Sequence, residues 1–421
     1  MSHKVLAALR LSQYRYFLAF RLCLTFATQM QAVIVGWQIY AITRDPLTLG
    51  LIGLSEVVPY IGTALIGGYV ADHFDRRRIV LLCASLFTFS SVALLAITKY
   101  VDLTTPRVEY LFYAVIFATG IARGFLSPAV SALFGQIVPR ELYINAMTWN
   151  SNLWHIAAVA GPAVGGRVYG EFGVVNAYLA LIAVSMIAVA SIWMVRPTPF
   201  MATETKESIF QSISKGVSFV LNNQAIFAAL FLDMVAVLFG GVVAVLPIFA
   251  ADVLHTGPSG LGDLRAAPFY GSILMGIYLA FRPPMKRAGW MLLANVAGFG
   301  ACMIVFALST NMKLSLVLLF LSGACDSVSV VIRATILQLM MPDHMRGRVS
   351  AVNNIFVGTS NELGAFESGL AAKLLGLVPS VVIGGSISIL AVIATGTFAP
   401  KLRRLDLHAL AIRPDTASSS P

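Results

Sequence analysis

Charge is what this chain has least of. Asp, Glu, Lys and Arg make up 11% of its 421 residues, against an apolar share of 58%, where a soluble domain carries about 25% charged residues. Such a composition could not keep a surface wet. It excludes a soluble globular chain and leaves lipid as the solvent for most of the outside. Cysteine is scarce too. Cys23, Cys83, Cys302 and Cys325 stand in apolar runs, where they read as small hydrophobes and not as disulfides or metal ligands. The six histidines are scattered. No nucleophile elbow, zinc-ligand spacing or phosphate-binding glycine loop occurs, so neither an enzyme nor a metal or cofactor protein is expected. A cleavable signal pattern is also missing. Met1 to Arg15 is short, polar and basic, which makes the first apolar run the expected targeting segment.

What is present is a succession of apolar runs. They fall near 16–42, 48–71, 79–98, 110–135, 144–169, 174–195, 224–250, 264–281, 289–309, 314–340, 350–376 and 379–399. A helix needs about 20 residues to cross the hydrocarbon layer, so each run predicts one crossing. The expected fold is all-α, with twelve transmembrane helices. The longest polar interruption, 196–222, divides them into six and six. Within it Ile209, Phe210, Ile213, Val217, Val220 and Leu221 recur at helical spacing, with Gln211, Ser212, Ser214 and Lys215 between them. That pattern predicts an amphipathic helix on the membrane face. The expected division is a first bundle over 1–195, a cytoplasmic linker over 196–222, a second bundle over 223–400 and a disordered cytoplasmic tail over 401–421.

The net charge of +10 has a pattern. With the N-terminus in the cytoplasm, nineteen Lys and Arg fall in cytoplasmic segments and seven on the opposite side. This asymmetry predicts cytoplasmic termini and assigns the positive charge to topology, not to nucleic acid. The halves also resemble each other. Gln136-Ile-Val-Pro139-Arg140 follows the fourth run and Gln338-Leu-Met-Met-Pro342 follows the tenth, with Gly120 and Gly323 at matching places before them. Repeats of this kind put a binding site near the midplane.

The loop after the second run reads Gly67-Gly68-Tyr-Val-Ala-Asp72-His73-Phe74-Asp75-Arg76-Arg77-Arg78. It resembles the cytoplasmic signature of the major facilitator superfamily. Trp37 to Gly50, Gly262 to Pro268 and Pro342 to Ala351 resemble its macrolide-efflux and enterobactin-exporter branch. The resemblance implies two pseudo-symmetric six-helix bundles and a cytoplasmic gate at Gly68, Asp72, Arg76, Arg77 and Arg78. His73 stands where the common signature has Arg. The corresponding loop of the second half, Phe281 to Arg287, lacks the acid, so a gate there cannot mirror the first. Gly161-Pro162-Ala-Val-Gly165-Gly166 resembles the antiporter motif of exporters in this superfamily. Small residues one turn apart also permit close helix packing in any membrane protein.

Ionisable residues inside the runs carry the mechanism, since a charge at the bilayer centre costs about 2.5–3.5 kcal/mol on insertion scales and needs a partner or a wet cavity. Glu56 and Asp233 lie roughly 12 Å into their spans at 1.5 Å per residue. Neither has a cation nearby in sequence, which makes them the first candidates for proton coupling, ahead of Glu362 and Glu367. Asp326 and Arg333 share a face of one helix but stand seven residues apart, too far for a direct pair. The repeat places Arg123 opposite Asp326, so a pair between the halves is expected. Arg21 and Arg333, nearer the inner face, are substrate candidates or snorkelling anchors, and a lone His155 reads as a helix–helix hydrogen bond. Phe20, Phe26, Trp37, Tyr60, Trp149, Trp154 and Phe239 are candidate cavity aromatics.

The function expected is alternating-access, proton-coupled export of small amphipathic molecules such as drugs, macrolides or siderophores. The chain would act as a monomer in a bacterial inner membrane, with protons, substrate and lipid as its partners. Proton-coupled solute uptake is the alternative within transport. A sensor or scaffold with a transporter fold is the alternative outside it.

Overall fold

Helix ends in this chain are set by side chains. In the computed structural model, which describes residues 6–196, 209–282, 286–342 and 345–408, α1 (Ser12–Thr43) stops at Arg44, whose backbone turns left-handed (φ 50°). Asp45 then accepts from the Leu47 amide at 3.0 Å, with Pro46 in the first turn, and starts α2 (Pro46–His73). Asp75 accepts from the Arg77 and Arg78 amides and starts α3 (Arg76–Tyr100). After α4 (Glu109–Ile137), the helical stretch Tyr143–Trp193 is broken at Gly173, at φ 82° and ψ 169°. Only glycine adopts that conformation without strain, so the stretch is two helices, α5 (143–172) and α6 (174–193).

The amphipathic segment forms α7 (Ile209–Asn222), and Asn223 caps α8 (Gln224–Gly240). The bend between Ser214–Asn222 and Gln224–Gly240 is 103°, as expected where a surface helix meets a spanning one. A single turn, Leu246–Ile248, and a π turn, Phe249–Val253, lead into α9 (Gly257–Phe281). Then come α10 (Ala288–Leu308), α11 (Met312–Met340) capped by Asn311, α12 (Arg346–Leu375) and α13 (Leu377–Phe398). Gly376 joins the last two at φ 91°.

Nine helices among the described residues are long and apolar enough to cross a membrane, or ten if the bent α7–α8 pair is one crossing. One of the nine is Arg140–Trp193, which Gly173 divides. α12 is 30 residues long, but Arg346, Arg348, Glu362, Glu367 and Lys373 make it too polar for that class. Among the described residues, α1 to α6 and α8 to α13 are thus twelve long helices. Residues 401–408 are ordered where a disordered tail is expected. Pro400–Arg403 is a short helix, and Leu402, Leu405 and Leu407 are buried. Residues 409–421 of that expected tail, and residues 197–208 of the linker, lie outside the described residues.

Two compact units emerge from the contacts. The first comprises Met1–Thr205 and Val243–Ala266, and the second Lys206–Val242 and Ala267–Pro421. The first is built on Tyr14, Phe17, Phe20, Phe112, Leu133 and Tyr178, all within 1% of full burial. The second is built on Leu232, Leu292, Ile332, Ile336, Val349 and Leu402. In lipid, apolar burial gives helices little drive to associate, so close contact through small residues matters more. A Cβ on Gly67 would stand 2.7 Å from the Gly124 carbonyl oxygen, and one on Gly120 would run into the Glu56 carbonyl and Pro59. These contacts fix the α2–α4 crossing. A Cβ on Gly323 would run into the Pro268 backbone, and one on Gly271 into the Phe320 carbonyl, which fixes α9 against α11 in the same way. Pro59 with Gly120 and Pro268 with Gly323 are thus one contact built twice.

Candidate functional site

The α2–α4 crossing brings Glu56 and Arg123 together. Arg123 Nη1 donates to Glu56 Oε1 at 2.7 Å, and the guanidinium stands over the Tyr60 ring at 5.6 Å from its centre. The pair is open, with the Arg123 side chain 49% exposed and that of Glu56 26%. Arg21 on α1 donates to Asn150 Oδ1 on α5 at 3.3 Å. The His155 ring meets Trp154 edge-on at 5.1 Å, and its buried Nδ1 has no hydrogen-bond partner among the described residues. Among the described residues, that nitrogen does not make the helix–helix hydrogen bond expected of His155. Of the aromatics expected to line a cavity, Phe20 is instead fully buried in the core.

In the second unit Asp233 on α8 pairs with Arg333 on α11. Arg333 is 7% exposed, which removes the reading of it as a snorkelling anchor. α12 is pinned beside α8. Ser368 donates to the Gly241 carbonyl at 2.9 Å, and a Cβ on Gly364 would stand 2.8 Å from the Val237 carbonyl oxygen. Glu362 and Glu367 belong to this helix. Asp326 and Glu367 are half-buried and have neither hydrogen bond nor ion pair among the described residues.

Arg123 lies three residues after Gly120, and Asp326 three after Gly323. Glu56 lies three before Pro59, and Arg265 three before Pro268. The repeated contact therefore carries acid then base in one half and base then acid in the other. The expected Arg123–Asp326 pair joins residues of separate units. Within its own unit Arg123 already bonds Glu56.

The Asp72–Arg78 segment is wired mostly to helix ends. Arg76 donates to the Ala71 carbonyl at 3.1 Å and approaches Asp72 at 3.9 Å. Arg77 donates to the Trp193 carbonyl at the end of α6 at 2.5 Å, where a cation meets the negative end of the helix dipole. Arg78 approaches Asp75 at 3.4 Å, and His73 stacks on Tyr69 at 4.0 Å. A Cβ on Gly68 would meet nothing within 4 Å among the described residues, so of the two glycines Gly67 makes the close approach.

At the opposite end of the first unit is a cluster that sequence reasoning missed. Asp252, in the π turn, accepts from the Tyr40 hydroxyl and from Arg44 Nη1, the latter at 2.9 Å. Arg44 also stands 5.5 Å from the Tyr40 ring centre. Arg265 donates to the Ala32 carbonyl at 3.0 Å, and Arg167 approaches Asp263 at 3.5 Å. The Gly161–Gly166 run has two packing faces. Cβ atoms on Gly161 and Gly165 would meet Phe26 and Met30 of α1, whereas Gly166 faces Gly262 and Pro258 of α9. The only sequence sign of the cluster is an acid just beyond an apolar run, before the His255-Thr256-Gly257 turn. Among the described residues no three His, Cys, Asp or Glu side chains are grouped to hold a metal.

The model of a family described as transmembrane secretion effectors matches residues 3–416. The multidrug efflux pump Tap of Mycolicibacterium fortuitum is 24% identical over 385 residues, covering 88% of this chain and 91% of Tap. The enterobactin exporter EntS of Escherichia coli O1:K1 is 24% identical over 351 residues, 81% of each chain. Among solved structures, a D-xylose-proton symporter superposes with TM-score 0.69 at 15% identity, over 94% of this chain and 99% of that one. An inward-facing bacterial homologue of the iron transporter ferroportin gives 0.68 at 16%, over 93% and 99%. Likenesses this distant speak to fold alone.

Proposed function

The chain belongs to the transmembrane secretion effector family of the major facilitator superfamily, and on that premise we propose that this transporter exports small amphipathic molecules, drug-like or siderophore-like, in exchange for protons. One observation carries the direction: relatives that align over more than four-fifths of the chain are named an efflux pump and an exporter. The transporter acts as a monomer in a bacterial inner membrane with cytoplasmic termini, the last from the excess of Lys and Arg on one side.

The ionisable residues divide by chemistry. Glu56 and Asp233 each hold an arginine, so either must break an ion pair to accept a proton. Asp326 and Glu367 have no such pair to break among the described residues, and they become the first candidates for the coupling proton. The open Glu56–Arg123–Tyr60 group, with Arg21 and Asn150, is the candidate polar contact for substrate. Asp72 to Arg78 act as the gate at the cytoplasmic end.

Everted vesicles carrying the protein test the proposal. With an imposed proton gradient, inside acid, a fluorescent amphipathic cation should accumulate in the lumen. Movement only in the opposite direction would make the protein an uptake symporter, and gradient-independent movement would remove proton coupling.

A further inference from the structure

The two halves treat their basic loops differently. In the first half each cation has a protein partner. Arg76 bonds the Ala71 carbonyl, Arg77 the Trp193 carbonyl, and Arg78 approaches Asp75. The corresponding loop between α9 and α10 carries Arg282, Lys286 and Arg287 with no acid. A second basic run, Lys401, Arg403 and Arg404, is folded onto the same end of α10. The Gly289 amide donates to the Leu405 carbonyl at 3.5 Å, and a Cβ on Gly289 would run into the Leu402 carbonyl. Leu402, Leu405 and Leu407 are buried beneath the run, so its place is set by packing.

Among the described residues, Arg403 alone of these six cations has a protein partner, donating to the Gly396 carbonyl at 3.1 Å. Arg282, Lys286, Arg287, Lys401 and Arg404 are exposed, and their side chains have neither hydrogen bond nor ion pair among the described residues. Asp406, an acid beside this run, accepts from the His408 amide. Around the cations stand exposed aromatics: Phe281 at 82%, Trp290 at 56% and Phe398 at 82%. Trp rings sit at headgroup level in a bilayer, and the flanking Phe rings are apolar enough to face acyl chains. A row of unpaired cations edged by such rings matches a phosphate group that has acyl chains attached.

We propose that this end of the second unit, formed by Arg282, Lys286 and Arg287 between α9 and α10 and by the Pro400–Arg403 helix, binds the headgroups of anionic phospholipids. The lipid phosphate supplies there the negative charge that Asp72 and Asp75 supply in the first half. Each basic residue near an anionic membrane surface favours association about five-fold, so a cluster of five selects anionic over zwitterionic lipid.

The test uses the full chain reconstituted with phosphatidylcholine and a minor share of chain-brominated lipid, either phosphatidylglycerol or phosphatidylcholine at equal mole fraction. Trp290 quenching is read as the difference between the wild type and W290F. Brominated phosphatidylglycerol should be enriched at Trp290 at least about five-fold over brominated phosphatidylcholine, and the excess should fall several-fold in K286Q/R287Q/K401Q/R404Q, which keeps Arg282, but survive in K286R/K401R. Should the fourfold variant not fold, wild type at about 1 M salt replaces it, because the screening length then falls to about 3 Å and the excess must collapse. Equal quenching by the two lipids, or an excess that survives both charge removal and salt, overturns the proposal. Loss of the excess on adding millimolar inorganic phosphate also overturns it, since the site would then take free phosphate. The measurement reads lipid contact and no transport, so its result is independent of the export reading.

Discussion

Asp233 on α8 and Arg333 on α11 form an ion pair inside the second unit, with side chains only 12% and 9% exposed. The pair joins two helices whose neighbouring residues, Leu232, Ile332 and Ile336, belong to the apolar core of that unit. Removing one partner leaves the other charge buried and uncompensated, which costs about 3–5 kcal/mol. Asp233→Asn should therefore lower the thermal midpoint in detergent sharply. The double variant D233L/R333M should recover most of that loss, because a buried pair replaced by apolar side chains of similar volume is often neutral. A double variant as unstable as D233N would show that the arginine is not what the asparagine strands.

Glu56 and Arg123 make the same kind of pair in a different setting. Their side chains are 26% and 49% exposed, and pairs open to solvent contribute about 0–1 kcal/mol. Glu56→Gln should leave the thermal midpoint nearly unchanged. Its effect should fall on transport, with a loss of ten-fold or more in substrate accumulation. The contrast separates a structural pair from a functional one: D233N acts first on stability, E56Q first on turnover. A shift in midpoint of equal size for both would erase the distinction.

These pairs mark where the sequence could be read and where it could not. The crossings follow from hydropathy because each is a local property of about 20 residues. The break between α5 and α6 falls at Gly173, between the runs ending at 169 and beginning at 174. Glu56, Arg123, Asp233 and Arg333 stand out for the same local reason, as charges inside apolar runs. Their pairing is not local. Glu56 and Arg123 are 67 residues apart, and they meet because Gly120 lets α4 rest on the Glu56 backbone. Position along the helices leaves Glu56 and Asp233 alone and sets Arg123 against Asp326, but it does not determine which helices adjoin. Tyr40 and Asp252 escaped for a related reason. Each is ordinary where it stands, and only the packing of 243–266 against the first six helices joins them.

That contact yields its own prediction. Asp252 accepts from both Tyr40 and Arg44 and so holds the π turn at the head of α9 against α1. Ser259 lies on the same segment, and its hydroxyl stands 3.5 Å from the Gly166 carbonyl. In a background without Cys23, Cys83, Cys302 and Cys325, a cysteine at position 259 should react slowly with a bulky maleimide while the contact holds. Asp252→Asn, which leaves the geometry but removes the charge for Arg44, should raise that rate several-fold, and Tyr40→Phe should raise it less. An unchanged rate in both variants would mean that backbone packing alone closes this end, through Gly166, Gly262 and Pro162.

A last prediction concerns Asp326 and Glu367. Both are half-buried and without a polar partner among the described residues, whereas Glu56 and Asp233 are engaged by arginines. A coupling carboxyl must take up a proton on one side and lose it on the other, and a counter-ion in contact opposes the first step. Asparagine at 326 or glutamine at 367 keeps the shape of the protonated form but cannot release a proton. If one of these residues carries the proton, its variant should lose accumulation driven by a proton gradient yet keep one-for-one exchange of substrate across the membrane, which needs no net proton movement. Loss of both activities would make the residue a substrate ligand instead. Retention of both in D326N and in E367Q would return the coupling role to Glu56, Asp233 or Glu362. Asp326 holds the place in the second half that Arg123 holds in the first. Coupling through Asp326 would therefore give the repeated helix contact two chemistries, a fixed cation in one half and an exchangeable proton in the other.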